Sequence, residues 1–362
     1  MIRTILAWVL GAVLLALCAA SLLPLLESDR WWIRYLDFPR MQISVALIVV
    51  FALYALVKHR RGRLLILPGL LVLASLGYHG WRLWPFQPLA QVMDPGGAQC
   101  ASENRLRVLI ANVQRGNRDA QKVIDLARSE EPDLFLVMET NGWWDEALQP
   151  LDAAFPHVVQ DIPEDATFYG LHLFSRHPLE NTDMRHPYGS DAPMVTTRVE
   201  HPAGPLRFIG VHPRPPHQSG QPSTIRDATV LEAALTAAEG DLPSVIAGDY
   251  NATPWERTAR RALRLGGLID PRAGRGPYPT YRATSRWMLW PLDQILWQPG
   301  LALADFAVLD PVGSDHFPFR VDLCVGQDAA QEIIPPRNDD AAEAQATFEK
   351  ARALGAQDGP EG

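Results

Sequence analysis

Cysteine is nearly missing from this sequence: Cys18, Cys100 and Cys324 are the three in 362 residues. That excludes a disulfide-dense scaffold, and no Cys-x-x-Cys pair offers structural zinc. Positive charge is also short. Lys plus Arg total 33 against 41 Asp plus Glu, a formal charge of −8. A strongly basic protein that coats nucleic acid is thereby excluded, although a local basic groove is not. No Gly-rich nucleotide loop follows the first apolar strand of the soluble part, and no His-x-x-x-His pair marks a zinc hydrolase. Long apolar runs are scarce after residue 85.

Before residue 85 they dominate. Residues 4–26 carry no charge over a length that crosses a hydrocarbon core of roughly 30 Å as a helix. Residues 41–57 form a second uncharged run. Residues 64–84 form a third, interrupted by His79 and by Arg82, whose long side chain can snorkel. Trp31, Trp32, Trp81 and Trp84 stand at or near the run ends, as interfacial aromatics do. The pattern predicts three transmembrane helices. A signal peptide would account for the first run alone, but the run is longer than a usual signal core. Bulky Leu17 before Cys18 departs from a lipoprotein cleavage site. The segment Lys58-His59-Arg60-Arg61-Gly62-Arg63 is dense in cations, whereas Arg30, Arg34 and Arg40 are spread along the earlier connection. The positive-inside rule then predicts a multi-pass protein of the inner or plasma membrane, with everything after Trp84 extracytoplasmic (periplasmic).

Residues 85–104 read as a polar linker, with Pro85, Pro88, Pro95, Gly96 and Gly97 breaking any helix. Residues 105–325 suit one domain with a full core. From 326 to 362 the composition turns to Ala, Gln, Asp, Glu and Pro, which predicts a disordered acidic tail, with a frayed helix over 339–354 as the alternative. Within the domain, apolar strands are predicted at 106–113, 133–139, 169–175, 196–200, 206–212, 244–248, 294–297 and 319–325. Helices are predicted at 120–130, 223–239 and 255–265, with Ser223 as an N-cap. Strands outnumber helices, which favours a mixed α/β layered sandwich over a dinucleotide fold.

Polar residues end these strands. Asn112 ends the first and Glu139 the second; His212 ends another, and Asp249 and Asn251 follow SVIAG directly. Asp293 precedes QILW, and Ser314-Asp315-His316 precedes the last strand. One Asp or Asn after a strand is usually a turn former or helix cap. Strand ends converge on a rim in layered α/β folds, so the whole set predicts one cleft. Carboxylates there suit a hard divalent cation such as Mg²⁺, which takes one or two carboxylates plus phosphate oxygens and water. A His paired with a carboxylate is oriented, or kept cationic, beside a phosphate. Phosphate ester hydrolysis needs that combination of water, cation and donors on developing charge.

In order, Ala-Asn112-Val, Met-Glu139-Thr, Gly210-Val-His212, Gly248-Asp-Tyr-Asn-Ala-Thr-Pro254, Leu292-Asp293-Gln-Ile-Leu and Ser314-Asp-His-Phe-Pro318 resemble the endonuclease/exonuclease/phosphatase superfamily over nearly all of 105–325. The resemblance implies a four-layered α/β sandwich of two mixed β-sheets, of the deoxyribonuclease I type, here preceded by transmembrane helices. It implies a Mg²⁺- or Mn²⁺-dependent hydrolase in which Glu139 is the principal metal ligand, with Asn112 beside it and Asp315 near the metal. Asp249 would orient or deprotonate the attacking water, Asn251 would bind the scissile phosphate, and His316, oriented by Asp293, would stabilise its charge. His212 matches a phosphate-contacting position, and Arg226 a basic helix residue near the phosphate. His172, on a strand facing core or cleft, is a further substrate-binding candidate. Gln114 replaces an extra acidic ligand of some abasic-site members, which favours a single metal.

The same resemblance places first and last strands near each other, which would bring Cys100 and Cys324 together as a disulfide in an extracytoplasmic domain. Trp287, Trp290 and Trp297 flank Asp293 as stacking or lipid-facing candidates, with Trp297 the surest core residue. The Pro-rich run from Pro213 to His217 either shapes the entrance or turns the chain. The reading is a membrane-anchored phosphodiesterase, nuclease-like first. A phospholipid, sphingomyelin or inositol-phosphate enzyme is the alternative, and a non-catalytic phosphate-binding module the reading from another class. The partners expected are a phosphodiester substrate, nucleic acid or lipid headgroup, and the membrane; no protein partner is deducible.

Overall fold

The computed structural model describes residues 1–58, 63, 65–163, 169–189, 193–215, 222–327 and 329–355. The strands form two mixed sheets. The first has the order β10 (Leu301–Val308), β11 (Phe319–Val325), β1 (Arg105–Asn112), β2 (Leu134–Thr140), β4 (Gly170–Ser175), β3 (His157–Asp161). The second runs β5 (Leu179–Arg185), β6 (Met194–Val199), β7 (Leu206–Val211), β8 (Ser244–Asp249), β9 (Asp293–Trp297). β1 and β2 are parallel, as are β7 and β8; their other neighbours are antiparallel.

Period-2 alternation assigns the layers. Leu106, Val108, Ile110, Leu134 and Leu136 face inward and meet Phe208, Val245, Ala247 and Ile295 of the other sheet. Leu109, Ala111, Phe135 and Val137 face outward beneath α5 (Ala120–Glu130) and α6 (Gly142–Leu148). Ile209, Val211 and Ile246 face α7 (Thr224–Ala238), with α8 (Arg257–Leu265) and α9 (Asp340–Gly355) in the same outer layer. Central strands are therefore apolar on both faces, which is why they stand out as unbroken runs. β3, β5 and β10, absent from the sequence reading, are all sheet edges. Exposed edges admit polar residues, as in LENTDMR of β5.

The N-terminal helices α1 (Ile2–Leu22), α3 (Arg40–Lys58) and α4 (Ile66–Leu83) pack around Leu14, Cys18, Ile43, Leu47 and Val72. Ile2–Leu25 and Arg40–Lys58 are long and apolar enough to cross a membrane, and they are the two such segments among the described residues. α4 lies where a third span was predicted, but Pro68, Tyr78, His79 and Arg82 dilute it. Residues 59–62 of the cationic segment, and His217 of the Pro-rich run, lie outside the described residues. Arg40, at the start of α3, is ion-paired to Asp37 and bonds Tyr78 Oη (3.2 Å) and His79 Nδ1 (3.1 Å). His79 Nε2 reaches Ser21 Oγ of α1 at 2.9 Å, so one end of each helix meets at one level.

Two accessory segments differ from their sequence reading. Residues 85–104 are no free linker: Phe86 packs edge-on against Trp255, Met93 enters the inter-sheet core, and buried Asp94 accepts from Leu303 N. The acidic tail, expected to be disordered, forms α9. Ala344, Phe348 and Ala351 bury one face against the outer layer of the second sheet, and Asp340 is clamped by Arg261 and Arg264. The alternative reading, a helix over 339–354, matches α9, which docks through that small apolar stripe. Cys100 and Cys324 are disulfide-bonded, and Cys18 is buried and free.

Candidate active site

The ends of β1, β2, β8 and β9, with the turn before β11, open into a pocket of about 190 Å³. Local backbone geometry aims the side chains. A register shift between Met138 and Thr140 leaves Glu139 bulged, with a left-handed φ of 63° that turns its carboxylate into the pocket. Gly248 is required before Asp249, because a Cβ there would stand 1.8 Å from Val211 O at a φ of +149°. Asn251 is also left-handed, at φ 48°.

Two polar groupings result. In the first, buried Asp249 and Asp293 are direct cross-strand partners and flank the His316 ring. His316 Nδ1 lies 2.8 Å from Asp293 Oδ2, and Nε2 lies 3.6 Å from Asp249 Oδ2. Burial alone would lower the imidazolium pKa; the Asp293 and Asp249 carboxylates outweigh it and hold the pKa up to about 10. Burial pushes the Asp249 carboxyl up, and His316 offsets only part of that. Asp249 Oδ1 accepts from Asn251 N at 2.8 Å, and the Asn251 side chain donates to Pro213 O at 3.0 Å.

In the second grouping, half-buried Glu139 and Asp315 face the pocket beside Asn112. Asn112 Nδ2 donates to Glu139 Oε1 at 2.9 Å and to Asp249 Oδ2 at 3.2 Å, bridging the two groupings. Burial also pushes the Glu139 carboxyl up, with Asn112 the leading offset. His212 lies behind this wall, fully buried, with Nε2 3.9 Å from Glu139 Oε1 and Nδ1 without a hydrogen-bond partner. Burial lowers its pKa, so the neutral ring is favoured.

Divalent-cation chemistry has two possible seats here. Asp249, Asp293 and His316 present ligand atoms within 4.8 Å of one another. That triad, however, already holds a buried imidazolium that offsets one of its two carboxylates, and a cation there would have to displace that charge. Glu139 and Asp315 are two carboxylates that line the open pocket, the donor type Mg²⁺ takes. Asn112 fits as a partner through Oδ1 only with its amide turned over from the orientation described above.

Eight of the ten sequence-predicted site residues converge: Asn112, Glu139, His212, Asp249, Asn251, Asp293, Asp315 and His316. Two do not. His172 lies on the outward face of β4, bonded to Thr140 Oγ1 (2.9 Å) and Asp145 (3.1 Å), with its ring stacked on Phe174. A strand position two residues from an outward Phe shares its face. Arg226 is fully buried beneath the pocket floor, ion-paired to Asp227 (2.6 Å) and Glu256 (2.5 Å), and donates to Asn251 O at 2.8 Å. It supports Asn251 rather than facing a substrate. The sequence reading missed Tyr35, Phe38, Tyr169, Tyr281 and Leu292, which also line the pocket. Tyr35 and Phe38 follow closely on Trp31 and Trp32, which read as membrane-interfacial aromatics.

A family model described as the Endonuclease/Exonuclease/phosphatase family matches residues 109–316. Danio rerio TDP2 in complex with a single-strand DNA product is similar in fold, with TM-score 0.52 and 15% identity over 60% of this chain and 98% of that one. An endonuclease/exonuclease/phosphatase from Beutenbergia cavernae is similar at TM-score 0.50 and 20% identity, covering 66% of this chain and 76% of that one. No curated protein sequence matches the chain.

Proposed function

Because the chain belongs to the endonuclease/exonuclease/phosphatase family, whose members are hydrolases of phosphate esters, we propose that it is a membrane-anchored, divalent-metal-dependent phosphodiesterase. The observation that carries this reading is the Asn112 bridge, which joins Glu139 of the open pocket to Asp249 of the buried Asp–His–Asp system. Glu139 and Asp315 would hold Mg²⁺ or Mn²⁺, which when bound neutralises phosphate charge. Asp249, its carboxyl raised by burial, orients the attacking water and takes its proton. His316, cationic at neutral pH and fixed by Asp293, donates to a phosphate oxygen, and Asn251 presents its amide beside it. His212 supports Glu139 from behind. Water attacks phosphorus in line, without a covalent enzyme intermediate.

Two apolar helices support the membrane anchor. The Cys100–Cys324 disulfide and the cations of residues 58–63 support an extracytoplasmic catalytic domain. Retention of the full chain in carbonate-washed membranes, with protease access to residues 105–325 from outside, tests both; a soluble chain or a protected domain contradicts them. Hydrolysis is tested with the full chain in detergent on bis(p-nitrophenyl) phosphate. Turnover with Mg²⁺ or Mn²⁺, abolished by EDTA, is expected. Phosphate binding without turnover would instead mark a non-catalytic binding module.

A further inference from the structure

The pocket has a second, aromatic wall that the catalytic fold supplies only in part. It is built around the connection between the first two apolar helices, which contains α2 (Trp31–Tyr35). The Tyr35 and Phe38 rings stack at 4.9 Å, and Phe38 stands 5.6 Å from Trp290. Trp290 in turn stacks on Tyr281 at 5.9 Å, and Tyr281 lies 4.7 Å from the His316 ring. Tyr35, Phe38, Tyr281 and Leu292 thus face the same space as Glu139, Asp249, Asn251 and His316.

This wall is held in place by buried bonds. Arg34 reaches Glu256 at 2.7 Å and Thr258 Oγ1 at 3.1 Å. Trp255 Nε1 donates to Asp37 O at 2.7 Å, and Asp29 O accepts from Ser223 N at 2.7 Å. Glu256 is the carboxylate that also pairs with Arg226 beneath Asn251. The connection is therefore fixed to the same floor as the catalytic residues.

From Tyr281 the wall continues outward. Residues 282–289 lead to Trp287, 83% exposed, and Met288, 48% exposed. Gln42, in the first turn of α3, donates to Trp287 O at 2.6 Å. The exposed apolar tip thus lies beside the start of a helix long and apolar enough to span a membrane. Arg282 and Arg286, both exposed, flank it with positive charge suited to lipid phosphates.

Resting on the phosphodiesterase reading above, the geometry points to Tyr35 and Phe38 as specificity-determining residues. They select a phosphoester whose organic group is an aliphatic chain, delivered from the bilayer surface along residues 282–289. The polar wall takes the phosphate and the aromatic wall takes the first carbons of the chain.

The test uses the full chain in nanodiscs and three soluble diesters sharing a p-nitrophenolate leaving group: hexyl, methyl and thymidine 5′-p-nitrophenyl phosphate. The hexyl ester should exceed the methyl ester in kcat/KM by about tenfold or more, the scale on which apolar pockets discriminate. Tyr35→Ala and Phe38→Leu should each reduce that ratio through KM; the second keeps an apolar side chain if the first weakens the connection. A ratio near one, a ratio unchanged in both folded variants, or preference for the thymidine ester overturns the proposal. Hexylphosphonate and methylphosphonate binding, read by tryptophan fluorescence, separates the two readings. Tighter hexylphosphonate binding without turnover upholds the wall and defeats the hydrolytic reading, whereas equal binding of both overturns the wall.

Discussion

The Asp249–His316–Asp293 and Asn112–Glu139–Asp315 groupings meet at one pocket, yet differ in how far they satisfy themselves. The first is buried and internally paired, its imidazolium resting between two carboxylates. In the second, Asn112 is buried while the half-buried Glu139 and Asp315 carboxylates face the pocket. Charge that is already paired positions protons; charge that is left over waits for a cation or a substrate. Burial and pairing through the His316 imidazolium divide the labour.

The most severe way to break this division is Asp249→Ala. A loss of about 10²–10⁴ in kcat is expected from removing a proton acceptor, with metal binding retained. A small kcat effect would reassign the water-orienting role.

Arg226→Ala tests whether that residue supports or binds. Leaving Asp227 and Glu256 buried without it should cost about 3–5 kcal/mol of stability, seen as a lower unfolding temperature. A large rise in KM with stability unchanged would restore Arg226 to the substrate.

The His316 pairing has a pH signature in the metal-free protein. Its folded pKa, about 10, stands above the ordinary histidine value of 6.5, so the stabilisation is fully present below pH 6.5 and is lost as pH rises through about 10. Thermal melts in EDTA should show the wild type's advantage over Asp293→Asn shrinking across that window. A constant difference would mean that the ring is not held cationic.

The smallest effect expected is that of His172→Ala. Its partners are Thr140 and Asp145, outside the pocket, so kcat/KM should stay within about twofold, as for energetically separate sites. A much larger loss would bring His172 back into the site.

The central strands and most of the cleft were legible because both follow from local pattern. Doubly buried strands give unbroken apolar runs, and polar residues directly after them, such as Asn112 and Asp249, mark the rim. What escaped was set by tertiary context. The β3 and β5 edges look like polar loops, and α9 docks through three small or aromatic contacts in an acidic segment. His172 and Arg226 have suitable chemistry in sequence but point away from the pocket. Tyr35 and Phe38 were hidden for the opposite reason, since membrane-interfacial placement already explained their aromatic neighbourhood. The consequence is practical: a fragment beginning near residue 103 would lack Tyr35 and Phe38 of the aromatic wall, the Met93 core contact and Cys100.

Mn²⁺ titration of the full chain followed by EPR tests the division of the site most directly, with Glu139→Gln and Asp293→Asn beside the wild type. The account predicts one bound Mn²⁺ that Glu139→Gln loses and Asp293→Asn keeps. Loss of the ion in Asp293→Asn with retention in Glu139→Gln would place the metal in the buried triad and contradict it.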